Sequence, residues 1–231
     1  MKQTSDRDRK SFGLPNDAFV FFYAADSGSV LGRKNPGAFV DAYVREFKIS
    51  DGACCLVKLH YSEMENKEVS GIFEISKRRP DVILMRDIFS ERDIHRLFQL
   101  IDCYVSPHRS EGLGLTVIEA MSAGKPVIAT PYGGVTDFVS RDTAFTIDYD
   151  LIEVGENNAP YPAGYIWADP DVKSIQGHMR HVFENPEHAK HVAGKGANHV
   201  RNMFSIENTS IAIRKELERI WRNGEEPPVW E

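Results

Sequence analysis

Short apolar runs that alternate with segments of helical spacing are the feature that most restricts how this chain can fold. The runs are nearly continuous, as expected for strands covered on both faces. Strands separated by helices join through right-handed crossovers into a parallel sheet, so the sequence predicts an α/β doubly wound fold. The five runs are FVFFYA (19–24), CCLVKLH (54–60), DVILM (81–85), DCYVS (102–106) and PVIAT (126–130), and helices are expected between them at 36–47, 62–76, 90–101 and 115–124.

The second half of the chain has a looser pattern. The segment 141–154 is expected to hold two more short strands, and proline and glycine punctuate 157–166 as they do a loop. Asp169 and Pro170 have the residue types of an N-cap followed by proline at the first helical position. We therefore expect extra C-terminal helices, at about 171–184, 187–203 and 206–222. One domain at 17–222 would then lie between a linker or tail at 1–16 and a C-terminal tail at 223–231.

Composition excludes several classes of function. A net charge of −6 argues against a dedicated nucleic-acid surface, and the one dense basic run, Arg7 to Lys10, is interpreted as part of a solvated tail. Cys54, Cys55 and Cys103 fall in or beside apolar runs and suit neither a disulfide framework nor a zinc site. No apolar stretch approaches the roughly 20 residues that span a bilayer, and no signal peptide opens the chain. We expect a soluble, cytoplasmic protein without a transmembrane segment.

Polar and glycine residues collect where the predicted strands end. In open parallel sheets, ligands bind outside the carboxyl ends of the strands, so these residues are expected to line one crevice. The crevice carries both signs of charge, which suits a phosphorylated, hydroxyl-rich ligand. The strand ends are Ala25 to Gly28, Lys58 to His60, Arg86-Asp87, Ser106 to Glu111 and Thr130 to Gly134.

The stretch SEGLGLTVIEAM (110–121) predicts an anion site within that crevice. A helix that begins near Gly114 has free N–H groups at its start, and glycines let the backbone approach a phosphate closely. Glu111 stands on the rim of this site, where it can accept hydrogen bonds from sugar hydroxyls. Glu119 lies about 7 Å further along the helix axis and can meet a ribose. The alternative is that Glu111 complements the helix dipole and Glu119 sits on a solvated face.

Four segments of the chain together resemble family-four glycosyltransferases, which are retaining enzymes of the two-domain GT-B fold. One of them contains the E-x7-E motif of that family, and Arg33-Lys34-Asn35-Pro36 matches the RKNP form of a bacterial branch. The resemblance implies that this chain is the C-terminal, Rossmann-like half of a GT-B fold. The segments are GLPNDAFVFFYAADSGSVLGRKNPGAFVDAYVREF, DIFSERDIHRLFQLIDCYVSPHRSEG, HRSEGLGLTVIEAMSAGKPVIATPYGGVTDFV and PYPAGYIWADPD.

The resemblance also implies roles for particular residues. Glu111 would hold hydroxyls of the donor sugar and Glu119 those of the ribose. Lys34 matches the lysine that neutralises the departing diphosphate, with Arg33 in support. The backbone of Gly112, Leu113, Gly114 and Leu115 would face that diphosphate. Neither a metal nor another cofactor is implied, because the nucleotide-sugar is the substrate.

One position departs from the pattern of the family. Many members carry an arginine six residues before the lysine, where this chain has Gly28. Lys58 is the candidate replacement, with a structural role as its alternative. Arg86 and Asp87 lie where the base rests in the family.

The family resemblance implies a partner domain as well. The acceptor of such enzymes binds mainly to an N-terminal domain, so we expect this chain to carry the donor half only and to be nearly inactive alone. The apolar stripe of the last helix would help to reach the missing domain or, uncovered, would promote self-association. The full-length protein is expected to build a polysaccharide or glycolipid, at the inner face of the membrane.

Two other classes of protein share the sheet type. A non-catalytic nucleotide- or glycan-binding module is the first, and Gly28 is the feature that favours it. A nicotinamide-dependent oxidoreductase is the second, but no G-x-G-x-x-G follows the first strand, where ADSGSVLG stands instead.

Overall fold

The fold is a parallel sheet with helices on both faces, followed by a two-stranded antiparallel hairpin. The computed structural model describes residues 9–26, 29–60, 66–156 and 158–222. The main sheet has the order β3-β2-β1-β4-β5-β6, and all its pairings are parallel. This is the doubly wound order with its switch point between β1 and β4, so the predicted α/β Rossmann-like fold is confirmed. Its strands are β1 (Phe19–Asp26), β2 (Ala53–His60), β3 (Val82–Met85), β4 (Cys103–Ser106), β5 (Val127–Ala129) and β6 (Phe145–Thr146).

The helices cover both faces of the sheet, and the hairpin of β7 (Tyr149–Glu153) and β8 (Ile166–Pro170) follows β6. The predicted C-terminal helices are present. The sequence did not predict the single helical turn α1. The helices are α1 (Leu31–Lys34), α2 (Pro36–Glu46), α3 (Lys67–Arg78), α4 (Glu91–Leu100), α5 (Leu115–Ser122), α6 (Val172–Glu184), α7 (Pro186–Met203) and α8 (Ile206–Arg222).

The core is divided between the two faces of the sheet, which explains the continuous apolar runs. In β1, Phe21 and Tyr23 pack on one face while Val20 and Phe22 pack on the other. All four side chains are at most 1% exposed. The three cysteines are buried and free as expected, and burial raises the pKa of the Cys54 thiol to about 12.

The expected N-cap at Asp169 is wrong. Asp169 and Pro170 end β8, where they pair with Asp150 and Tyr149 of β7. The cap of α6 is Asp171, whose side chain accepts a hydrogen bond from the Lys173 backbone N–H at 2.9 Å. The hairpin therefore extends to Pro170, the residue before the cap.

The interpretation of the N-terminal basic run as solvated is wrong for Arg9. Its guanidinium donates to the backbone carbonyls of Leu100 and Ala18 and pairs with Asp102 at 2.8 Å. Phe12 and Leu14 are 8% and 3% exposed and pack on the α4 and α5 side of the sheet. Residues 9–16 therefore belong to the packed domain, because these apolar side chains cover the core.

The helix expected at 62–76 begins later, at Lys67. Asn66 caps it by accepting a hydrogen bond from the Glu68 backbone N–H at 2.9 Å. Residues 61–65 lie outside the described part of the chain.

Candidate functional site

The turn before α5 has the form expected of an anion site. Gly114 is the N-cap of the helix with φ 77°, a left-handed conformation that glycine adopts without strain. Because a glycine stands there, no side chain caps the first N–H groups of α5. A Cβ added to the exposed Gly112 would meet nothing within 4 Å. The uncapped start of α5 is thus open to a ligand beside Gly112.

A second pair of glycines, Gly133 and Gly134 in the loop after β5, contacts this turn. Glu111 and Gly133 form a parallel bridge, and the Gly134 N–H donates to the Glu111 carbonyl at 2.8 Å. A Cβ on Gly134 would overlap the carbonyl oxygen of Gly112. The loop after β5 can therefore contact the turn before α5 only because Gly133 and Gly134 have no side chains.

Two cations of α1 converge on Glu111. Lys34 Nζ donates to Glu111 Oε2, and Arg33 Nη1 lies 3.7 Å from the same oxygen. The Arg33, Lys34 and Glu111 side chains are 12%, 19% and 13% exposed. Residues that follow β1 and β4 along the chain thus meet beside the switch point of the sheet.

The two cations keep Glu111 ionised. Burial raises the pKa of its carboxyl, but the hydrogen bond from Lys34 and the charges of Lys34 and Arg33 outweigh burial and hold the pKa below its usual range. Glu111 is therefore an acceptor of hydrogen bonds at neutral pH. The site combines two cations, one carboxylate and the free N–H groups of a helix start.

The position of Lys34 is fixed from the sheet below. The Tyr23 hydroxyl donates to the Lys34 carbonyl at 3.1 Å, and the buried Asn35 side chain donates to the Pro107 carbonyl at 3.0 Å. Asn35 has φ 58°, a left-handed conformation that asparagine tolerates better than most residues. This one residue ends α1 and starts α2.

Sequence reasoning missed Arg109. Its guanidinium donates to the Gly32 carbonyl at 2.7 Å and to Asp169 at 2.9 Å. These partners lie 77 and 60 residues away along the chain, so no local pattern identifies them. The only indication in the sequence is that Arg109 falls in the segment Ser106 to Glu111, which follows a predicted strand.

Glu119 lies apart from this group, on the side of α5 that faces α4. Burial raises the pKa of its carboxyl, and Glu91 acts in the same direction while His95 opposes. A groove of about 400 Å³ runs beside it. The groove is lined by His95, Phe98, Gln99, Ile118, Glu119, Ser122 and Ala123.

The remaining predicted site residues, Lys58 and Arg86, lie in β2 and directly after β3. Lys58 is 5% exposed, and its ammonium lies 5.2 Å from the centre of the Phe89 ring. Burial lowers the pKa of Lys58, and the charges of Asp26 and Asp87 oppose that shift. Arg86 is exposed at the end of β3, and Gly28 lies outside the described residues. The phosphate role of Lys58 and the base-binding role of Arg86 stay predictions.

Two aromatic residues of the β7–β8 hairpin, Tyr161 and Trp167, lie beside arginine side chains. The Arg33 guanidinium is 5.8 Å from the centre of the Tyr161 ring. Trp167 is 5% exposed and packs against Tyr161 and Arg109, whereas Tyr165 is 65% exposed. Two of the three aromatic side chains are thus part of the packing around the site.

Neither a metal centre nor a membrane span is found in the part of the chain that is described. No group of three or more histidine, cysteine, aspartate or glutamate side chains is arranged to hold a metal there. Nor is any helix among those residues both long and apolar enough to cross a bilayer.

The chain is similar in sequence to known proteins. Residues 88–199 match the family Glycosyl transferases group 1. Sulfoquinovosyl transferase SQD2 of Arabidopsis thaliana is 29% identical over 115 residues, which are 50% of this chain and 19% of that protein. The chain thus aligns with about a fifth of the length of this curated relative. Over these residues the chain is therefore similar in sequence to group 1 glycosyl transferases.

Solved structures show the same fold. HepE of Anabaena, in complex with UDP and glucose, has a TM-score of 0.68 at 16% identity, covering 93% of this chain and 52% of that one. The C-terminal domain of LpcC, a group 1 family glycosyl transferase of Francisella tularensis, has a TM-score of 0.67 at 14% identity, covering 87% of this chain and 93% of that one. The chain therefore has the fold of the C-terminal half of a GT-B protein, as predicted.

Proposed function

We propose that this chain is the donor-binding half of a retaining glycosyltransferase that transfers a hexose from a nucleotide-sugar to a polysaccharide or glycolipid precursor. The observation that carries the proposal is the meeting of Arg33, Lys34 and Glu111 beside the uncapped start of α5. Cations and free N–H groups suit a diphosphate. An ionised carboxylate suits sugar hydroxyls, which are donors.

In this arrangement Lys34 and Glu111 neutralise each other until a donor arrives. The diphosphate would take Lys34 and Arg33, and the sugar hydroxyls would take Glu111. The two cations would then face the negative diphosphate, and the Glu111 carboxylate would accept hydrogen bonds from the sugar hydroxyls. No charge in this half-buried site would be left without a partner. Glu119, one helix turn and more from Gly114, would accept hydrogen bonds from the ribose.

The proposed transfer needs no nucleophile from the protein. The bond from the anomeric carbon to the diphosphate breaks, and a bond to the acceptor oxygen forms on the same face of the sugar. The acceptor proton passes to the departing diphosphate oxygen. Lys34 would stabilise the negative charge that develops there, which is the largest contribution expected from a single placed cation.

Coverage of about half of HepE supports the proposal that an acceptor-binding half faces this domain in the active enzyme. HepE was solved with UDP, which makes UDP the first nucleotide to test. The matched curated relative is named a sulfoquinovosyl transferase, and that name is consistent with the proposal. We therefore expect nucleotide binding, and little turnover, from the chain by itself.

Calorimetric titration with UDP, GDP and ADP tests the donor site. We expect one nucleotide to bind, with affinity lowered about ten- to a hundredfold in Lys34→Ala, because a charge-assisted contact is lost. Glu119→Ala should also weaken binding, whereas Glu74→Ala, an exposed glutamate of α3, should not. EDTA should leave the affinity unchanged. Equal affinity in all the variants would contradict the assigned site.

Anomeric configuration tests the reaction. When an acceptor-binding half is joined to this chain, we expect NMR of the product to show the anomeric configuration of the donor. An inverted product would contradict the retaining mechanism. Nucleotide binding without transfer would instead favour the non-catalytic module.

A further inference from the structure

Arg109 connects three parts of the chain that are distant in sequence. Its side chain bridges the Gly32 carbonyl of α1 and the Asp169 carboxylate of β8, and its guanidinium lies 5.6 Å from the centre of the Trp167 ring. The side chain is only 23% exposed. The hairpin β7–β8 is thereby fastened to α1 through one guanidinium.

The backbone of Arg109 also joins α1 to β8. Its N–H donates to the Arg33 carbonyl at 2.8 Å, and its own carbonyl accepts from the Ala168 N–H at 2.9 Å. The Arg33 guanidinium returns to this loop by donating to the Ser110 carbonyl at 2.6 Å. Side chain and backbone together leave α1 little freedom to move against the hairpin.

This fastening matters because α1 cannot hold its own shape. It has four residues, far fewer than an isolated helix needs for stability in water. The carbonyls of Gly32 and Arg33 are among its unpaired C-terminal acceptors, and Arg109 supplies a donor to each. A cation at a helix C-terminus is also electrostatically favourable.

We infer that Arg109 is a positioning residue that holds Lys34 and Arg33 in the geometry for binding a nucleoside diphosphate, with the β7–β8 hairpin as its anchor. The inference rests on the proposed function for the ligand but not for the geometry. Arg109 Nη1 and Nη2 donate to Gly32 and Asp169, so we assign its role to holding α1 and not to contact with the diphosphate. The hairpin thus supports the donor site through Arg109 and α1, and it need not contact the ligand.

Two measurements on Arg109→Ala test this role, with Arg180→Ala as the matched control. Arg180 is an equally bonded arginine that joins α6 to the end of α2, donating to the Glu46 carboxylate and carbonyl at 2.8 Å each. By calorimetry with UDP, Arg109→Ala should lose about tenfold in affinity, the effect of one charge-assisted hydrogen bond. Arg180→Ala should bind as the wild type does.

Hydrogen exchange without nucleotide is the second measurement. The amides of Lys34 and Asn35 bond within α1, to the carbonyls of Val30 and Leu31. Their exchange should become about tenfold faster in Arg109→Ala and stay unchanged in Arg180→Ala, while protection of β2 stays the same in both. If Arg109→Ala does not fold, Asp169→Ala removes only the hairpin side of the connection and should show the same pattern.

The outcomes separate the inference from the proposed function. Faster exchange in α1 together with weaker UDP binding supports the inference. Unchanged exchange in α1 overturns it, as does faster exchange with undiminished affinity, or an equal loss of affinity in both variants. If the wild type binds none of UDP, GDP and ADP, faster exchange still supports the positioning of α1, and the donor function fails alone.

Discussion

At the scale of single residues, His108 is expected to make stability depend on pH. It is 0% exposed, Nδ1 lies 3.0 Å from Ser106 Oγ, and burial lowers the pKa of the imidazole to about 4. The unfolded chain binds a proton below pH 6.5 and the folded one does not. The stability that neutral His108 contributes is therefore complete above pH about 6.5 and is lost as pH falls towards 4, by up to about 3 kcal/mol.

Chemical denaturation between pH 7.5 and 4.5 measures this slope. We expect His108→Gln to flatten it, and His199→Gln, at an exposed position of α7, to leave it unchanged. The Glu111 carboxyl, whose pKa is lowered, loses its contribution only below about pH 4.5, so it does not disturb this window. A slope that survives in His108→Gln would refute the assignment.

The same scale shows how far the sequence predicts the site. Lys34 and Glu111 were identified by their resemblance to family motifs, and they meet although 77 residues separate them. Arg109 was missed because its contacts depend on how α1 and the hairpin lie in space. Motifs give residues with a recurring role, whereas a residue that positions others is visible only in the fold.

At the scale of elements, the contact between the 111–114 turn and the loop after β5 depends on Gly134. We expect Gly134→Ala to lower the free energy of unfolding by about 1–3 kcal/mol, because its Cβ would overlap the Gly112 carbonyl and force the two loops apart. Gly112→Ala is the matched control, since its Cβ meets nothing, and its unfolding midpoint should stay within about 1 °C of the wild type. Equal midpoints in both variants would show that the loops separate without cost.

Elements were predictable where they carry a pattern of their own. The five apolar runs became β1 to β5, because strands buried on both faces need continuous apolar residues. The single turn of α1 is too short to show a helical period. Asp169 and Pro170 have the residue types of a helix start, but pairing with Asp150 and Tyr149 takes them into the hairpin. Long-range pairing overrides local residue preference there.

At the scale of the whole molecule, α8 presents apolar side chains that the described part of the chain does not cover. Ile206, Ile213 and Trp221 are 88%, 56% and 49% exposed. Of the stripe predicted from the sequence, Ile206 and Ile213 therefore lie on the surface of this domain, whereas Leu217 and Ile220 are half-buried. Burial of such side chains is favourable by about 25 cal/mol per Å² of apolar area, so a second surface is expected to cover them.

For the chain by itself, that second surface is expected to be another copy. Sedimentation velocity should show self-association that increases with concentration, and the double variant Ile206→Gln, Ile213→Gln should reduce it because it removes apolar area. Lys215→Gln, an exposed change on the same helix, should leave it unchanged. All three proteins should keep the same unfolding midpoint, since both isoleucines are exposed. A wild-type chain that stays monomeric throughout would mean that α8 needs no cover, and an acceptor-binding half would then have to be sought on another face of the domain.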